Sequence, residues 1–276
     1  MNKFMRYFFF VFMLLLASSS QAAEKMELSL GLFPYVSPAQ LIQFHIPLKN
    51  YLSKTLGMNI NLVTAPDFES FMTNTEKGNY DIIFTAPHMG RLAEKRDSYH
   101  RLAMTGHHVE GLFLVKKDSA INSLDDLKDK KIMVAQRISV IYQMVLQTLA
   151  KNGLVDGKNV TLIETKTHNN ALYAPLRDEA DASVTGILLW VTLGQEYKDK
   201  LKVIGSTNSV PGFVLMAHPR VTAQIQKKLQ QALFNFSKTE EGKAYFESTR
   251  LKGFLPIDNK TMKSMDPYTT VLTESH

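Results

Sequence analysis

The chain has 276 residues, 45% of them hydrophobic, no cysteine and a formal net charge of +6. Without cysteine, disulfides, thiolate metal sites and a lipid anchor attached through an N-terminal cysteine are excluded, so the fold must be held by its apolar core. The lysines are scattered among acids, as where Lys116 to Lys131 alternates with Asp118, Asp125, Asp126 and Asp129, which is the pattern of a solvated surface and not of a nucleic-acid-binding stripe.

At the start, Lys3 and Arg6 precede an apolar run from Tyr7 to Ala17, and small residues follow from Ser18 to Ala23. This is the order of a secretory signal peptide over residues 1–22, with cleavage after Ala22 and delivery to the periplasm. The run is shorter than the ~20 apolar residues that a membrane span needs. Its removal takes Lys3 and Arg6 from the 32 basic residues, leaving 30 against 26 acidic.

Leu28 to Phe33 reads as a strand. Ser37 and Pro38 then open a helix, with Leu41, His45, Leu48, Leu52 and Leu56 on one face and Gly57 as its stop. Pro47 is expected to kink that helix or to start a second one. Asn59 to Thr64 is the next strand, and Asp67 caps a helix from Phe68 to Glu76. Tyr80 to Thr85 is a third strand, followed by a helix from Pro87 to Arg96. Gly111 to Val115 is a strand standing apart. A second triplet follows, with strands at Lys131 to Ala135, Val160 to Thr165 and Asp181 to Thr185. Its helices run from Ser139 to Asn152, His168 to Asp178 and Ile187 to Tyr197. Gly212 to Ala217 is a last strand, before helices from Pro219 to Phe236 and Thr239 to Thr249. Two successive β-α triplets predict an α/β protein of two lobes, each a mainly parallel sheet flanked by helices. Residues 23–115 with 209–276 form the first lobe and 116–208 an inserted second one. Gly111–Val115 and Gly212–Ala217 carry the chain out and back as a two-strand hinge.

In open parallel sheets, ligands bind beyond the carboxyl ends of the strands, where helix N-termini gather. The corners at those ends carry the candidate ligand-binding residues Tyr35, Ser37, Thr85 and His88 in the first lobe. In the second they carry Arg137, Ser139, His168, Asn169 and Thr185. Hydrogen-bonding groups with few acids suit a small polar or anionic ligand, and Arg137 is the cation best shaped to hold two oxygens. Ser37, Asp67 and Ser139 also read as ordinary helix caps. Enzyme signatures are absent: there is no G-x-S-x-G and no H-E-x-x-H, and Gly153 to Lys158 reads as a turn. His107 and His108 would face opposite sides of a strand, which speaks against joint metal binding. Neither a catalytic residue, a metal nor a cofactor is expected.

The order and spacing of several short pieces make the sequence familiar. They are Gly31–Pro34, Pro47-Leu48, Tyr51-Leu52, Leu56-Gly57, Gly78 with Asp81, Pro87, Lys117–Ser119, Ser123-Leu124 with Asp126–Lys128, His168, Asp181-Ala182 and Ser209–Pro211. Together they resemble the phosphate/phosphite/phosphonate periplasmic binding proteins of ABC transporters. That resemblance implies a type II periplasmic binding protein fold and a monomer that hands a small anionic solute to an ABC transporter permease, or reports it to a membrane sensor. A hydrolytic enzyme is the more distant alternative. The sequence departs from the family at three places. The Ser/Thr-rich turn that holds phosphonate oxygens is replaced by Arg137–Ile141, where Ser139 alone remains. Gly90 stands where the family often has Tyr, and Asn169 stands where Asp is common after the histidine.

Overall fold

The computed structural model describes residues 27–274. The expected signal peptide lies outside the described residues. The chain begins with β1 (Glu27–Leu32), α1 (Pro38–Leu56), β2 (Asn59–Thr64), α2 (Phe68–Glu76), β3 (Ile82–Thr85) and α3 (Pro87–Arg96). Ser37 caps α1 by accepting the Gln40 N–H, Pro38 takes its first turn, and Gly57 ends it in the left-handed region at φ 66°. The helix runs on through Pro47 instead of restarting there. Its buried stripe of Leu41, His45, Leu48 and Leu52 holds both halves on the sheet, which outweighs the roughly 3 kcal/mol that an internal proline costs.

β1 pairs in parallel with β2 on one side and β3 on the other. Beyond β3 the sheet continues antiparallel through β10 (Val214–Ala217), β4 (His100–Thr105) and β11 (Phe254–Leu255), giving the order β11-β4-β10-β3-β1-β2. The second sheet has the order β7-β6-β8-β5-β9. Its strands are β5 (His108–Lys116), β6 (Lys131–Ala135), β7 (Thr161–Thr165), β8 (Ala182–Gly186) and β9 (Leu201–Pro211). β6 is parallel to β7 and β8, while β5 is antiparallel to β8 and β9. The helices of this lobe are α4 (Val140–Lys151), α5 (His168–Tyr173), α6 (Ile187–Thr192) and α7 (Gln195–Lys198). α5 is shorter than the expected span because Pro175 turns the chain into a 3-10 turn, and the stretch expected as one helix from Ile187 is split ahead of Gly194. Trp190 of α6 packs partly buried beside Leu112, Leu114 and Leu172.

The strand holding Gly111–Val115 lies wholly in the second sheet, between β8 and β9. The expected boundary at 115/116 therefore cuts through β5, and the expected return at 209 cuts through β9. The connections between the sheets are shorter: Gly106-His107 outward and Gly212-Phe213 back. They touch. A Cβ on Gly212 would lie 2.5 Å from the carbonyl oxygens of both Thr105 and His107. The Thr105 hydroxyl lies 2.8 Å from His107 Nδ1 and 3.2 Å from the Phe213 carbonyl, linking both crossings.

The chain ends in α8 (Ala223–Phe236), α9 (Glu240–Thr249), α10 (Asn259–Lys263) and α11 (Thr270–Glu274). Between the last two, a strap reaches from one lobe to the other. Asp266 accepts from Arg91 of α3 at 2.7 and 3.3 Å. Tyr268 accepts from Gln143 of α4 on its carbonyl and from Asn208 of β9 on its hydroxyl, both at 3.3 Å. No helix among the described residues is long and apolar enough to cross a membrane.

Candidate functional site

The corners at the carboxyl ends of β1, β3, β6, β7 and β8 come together around one cavity of about 40 Å³ between the two sheets. Ala86 and His88 bring the first turn of α3 to it, and Ser139, Val140 and Ile141 bring the first turn of α4. Both turns have free N–H groups and a positive dipole end. Phe33, Tyr35 and Phe213 form an aromatic wall, in which the Tyr35 and Phe213 rings are 4.9 Å apart. Ile187, Leu188 and Leu189 of α6 line another side.

Three buried imidazoles face this space. His88 Nε2 donates to the Ile138 carbonyl at 2.9 Å, a bond from the first lobe to the second. A carbonyl only accepts, so the hydrogen sits on Nε2 and His88 Nδ1 is a bare acceptor. His168 Nε2 lies 3.3 Å from the Ser139 hydroxyl, which also accepts the Ile141 N–H. The His168 ring packs 5.9 Å from Phe68 of the first lobe. His107 lies edge-on to Phe213 at 4.8 Å. His88 Nδ1, His168 Nδ1 and His107 Nε2 are buried and have no hydrogen-bond partner among the described residues. Burial lowers the pKa of His88 and His168 to about 4 and that of His107 to about 3, so all three are neutral at pH 7. Burial also pushes the Tyr35 phenol up. Among the described residues, no lysine or arginine lines the cavity.

Of the nine residues singled out from the sequence, Tyr35, His88, Ser139 and His168 line this cavity. Thr185 stands behind it and donates to the His168 carbonyl at 3.2 Å, fixing the start of α5. Thr85 is buried behind α3, near Phe71 and Met89, and its hydroxyl has no partner among the described residues. Ser37 is an exposed cap, and Asn169 is half-buried outside the lining. Arg137 does not meet the expectation of a cation in the cleft. It is held at the surface, with its backbone N–H and its guanidinium both on Glu164, because that acid on β7 faces the same corner. The helix after β7 is capped by Thr167, which accepts the Asn170 N–H, so the polar residues after it are not needed as caps. Phe213 and the α6 residues lie outside those nine, and His107 enters the sequence reading only as half of an adjacent histidine pair. His107 and Phe213 sit in the crossings between sheets, not at strand-to-helix corners, and the buried placement of His107 is the signal that a pair of adjacent histidines concealed.

The family model described as the periplasmic substrate-binding protein of phosphonate ABC transporters matches residues 30–262. The chain belongs to this family. It is 24% identical over 240 residues to the phosphonates-binding periplasmic protein of Escherichia coli (strain K12), across 82% of this chain and 71% of that one. Among solved structures it is similar to a Prochlorococcus marinus (MIT 9301) protein in complex with methylphosphonate, with a TM-score of 0.79 at 17% identity, covering 90% of this chain and 98% of that one. A binding protein component of an ABC phosphonate transporter from Pseudomonas aeruginosa gives a TM-score of 0.78 at 20% identity, over 89% and 86% of the two chains. The alkanesulfonate-binding protein of Xanthomonas axonopodis pv. citri, bound to MOPS, gives 0.62 at 17%, over 91% and 94%. The fold is that of the type II periplasmic binding proteins. Within it, Gly90 has a packing reason: a Cβ there would lie 2.3 Å from Val214 Cγ2. α3 lies too close to β10 for the tyrosine that the family often has at this point.

Proposed function

We propose that this binding protein captures a small phosphonate or related oxyanion in the cavity between its lobes and delivers it to the permease of an ABC transporter. It is exported by a signal peptide over residues 1–22, acts in the periplasm without a lipid anchor, and catalyses nothing itself. Sheet membership supports drawing the mobile lobe as residues 107–211.

The observation that carries the ligand class is the set of unpartnered ring nitrogens of His88, His107 and His168 around one cavity bordered by the first turns of α3 and α4. Buried polar atoms are rarely left unpaired without a reason. The helix ends favour negative charge, and a bare imidazole nitrogen accepts a hydrogen bond from a protonated phosphonate oxygen. The aromatic and aliphatic walls suit a short carbon substituent. A space of about 40 Å³ has room for roughly three waters. The ligand therefore enters after the lobes part and the His88–Ile138 bond breaks, and it favours the closed form through contacts made with both lobes at once.

Calorimetric titration of the mature protein with methylphosphonate, phosphite, phosphate and sulfate tests this. Saturable binding of methylphosphonate is expected, and H168N should weaken it roughly ten- to a hundredfold, the loss of one hydrogen bond to a charged partner. Failure of all four anions to bind, or equal affinity in H168N, overturns the reading.

A further inference from the structure

The cavity has an outer extension that the phosphonate reading leaves unused. A surface groove of about 440 Å³ shares His107, His108, Glu110, Ile187 and Leu188 with the cavity, so it is the cavity's mouth. It adds the two cations that the cavity lacks, Arg250 and Lys252. Among the described arginines, every other one is ion-paired with a carboxylate, and Arg250 is not. Lys252 also has no acidic partner among the described residues, and it is close enough to His107 to help keep that imidazole neutral.

The backbone places these cations deliberately. Arg250 and Lys252 have φ values of 61° and 60°, and Gly253 follows at 82°. The other non-glycine residues at positive φ are Ser98, Asp129 and Asp178, all short and polar. Arg250 takes this conformation as the C-cap that ends α9, and Lys252 repeats it in the turn that follows, which turns the chain back toward the crossing. The turn is also anchored. Leu251 is fully buried, and its carbonyl accepts the His107 N–H at 3.1 Å, while the Gly253 carbonyl accepts the Gly106 N–H at 3.0 Å. The cations are thus fixed to the outward crossing that carries His107 into the cavity wall. Among the described residues, Glu110 is the one acid of the groove, so two cations stand against one carboxylate.

We infer that Arg250 and Lys252 form a second anion subsite at the cavity mouth, which holds a distal carboxylate or phosphoryl group of a ligand whose phosphonate head lies inside. The inference rests on the phosphonate reading above and narrows it to phosphonates that carry a second anionic group. The apolar side chains of Ile187 and Leu188 line the passage between the two charges and suit a short methylene linker.

The test compares two probes on the mature protein: methylphosphonate, which has only the head, and 3-phosphonopropanoate, which adds a carboxylate. In R250N/K252N, asparagine tolerates the left-handed backbone and removes both charges. Two exposed ion pairs correspond to about two- to thirtyfold in affinity. The variant should weaken 3-phosphonopropanoate by that factor and leave methylphosphonate within about twofold of wild type. On the wild type, which requires no variant to fold, added salt should weaken 3-phosphonopropanoate more steeply than methylphosphonate. Equal weakening of both probes, no weakening of either, or equal salt dependence overturns the subsite. Binding of methylphosphonate with rejection of 3-phosphonopropanoate overturns the subsite and leaves the phosphonate reading standing. If neither probe binds the wild type, the phosphonate reading falls and the subsite falls with it.

Discussion

His45, His88, His107 and His168 are each buried, and each keeps one ring nitrogen unpartnered among the described residues. Desolvation holds their pKa values at about 3 for His45 and His107 and about 4 for His88 and His168, below the ordinary 6.5. The unfolded chain takes up these protons near pH 6.5, whereas the folded chain refuses them until pH 4 or lower. The neutral form is the one the fold favours, so this stability is complete above pH 6.5 and drains away as pH falls toward 4, by on the order of 1.4 kcal/mol per histidine for each pH unit. Thermal melts of the ligand-free protein should show a Tm that is level above pH 7 and falls between pH 6.5 and 4.5, before most carboxylates titrate. H88N should lose less Tm than wild type across that window, and a level wild-type Tm would contradict the burial of these rings. Under the proposed reading, the same neutrality means that these imidazoles would accept from an anion or hold a polar hydrogen toward it without adding charge, and its attraction would fall to the helix ends and the cations at the mouth.

At the scale of elements, the contact between α3 and β10 makes the sharpest claim. Val214 is fully buried on a central strand and has nowhere to move, so G90A forces α3 away from the sheet. Overpacking costs about 1–3 kcal/mol and alanine returns about 1 kcal/mol of helix propensity. Urea unfolding should therefore show a net loss of up to about 2 kcal/mol, and any rise in stability would mean that the helix rides freely on the sheet. The parallel half of each sheet was legible in the sequence because each βα unit announces itself by local pattern: an apolar run, then a cap such as Ser37, Asp67 or Ser139. The antiparallel strands were harder. β9 (LKVIGSTNSVP) is an edge strand whose mixture of polar and apolar residues has no clean period of two, and β4 (HRLAMT) has no apolar run or turn signal that announces a strand. β5 reads as a strand, but which sheet it joins is not legible, since its partners Ser183–Gly186 and Leu201–Pro211 are distant in sequence and a short apolar run does not declare its neighbours. The site followed the same division. His88, Ser139 and His168 sit where strand-to-helix corners put them, whereas His107 and Phe213 belong to crossings whose contact depends on the whole fold.

At the scale of the molecule, the lobes meet, among the described residues, through the paired crossings at Gly106-His107 and Gly212-Phe213, the His88–Ile138 bond, the His168 ring against Phe68, and the strap at Asp266–Tyr268. The strap carries mutual support between α3 and α4, the two helices whose first turns border the cavity. Removing the Tyr268 side chain deletes the hydroxyl contact with Asn208 and a buried ring. Small-angle scattering should show Y268A with a larger radius of gyration than wild type without ligand, and methylphosphonate should shrink it. An unchanged radius in the variant would place the grip between the lobes elsewhere.

The placement of Trp190 turns this closure into an optical signal. It is the chain's one tryptophan, and it follows directly on Leu189 of the cavity wall. The Lys198 ammonium stands 6.0 Å from its ring centroid, near enough for its charge to influence the excited indole. Indole emission from this protein therefore has a single origin, on a helix that lines the cavity. Filling of the cavity can be followed in real time as a change of colour or brightness at that point, with no dye attached and no background from a second fluorophore of the same kind.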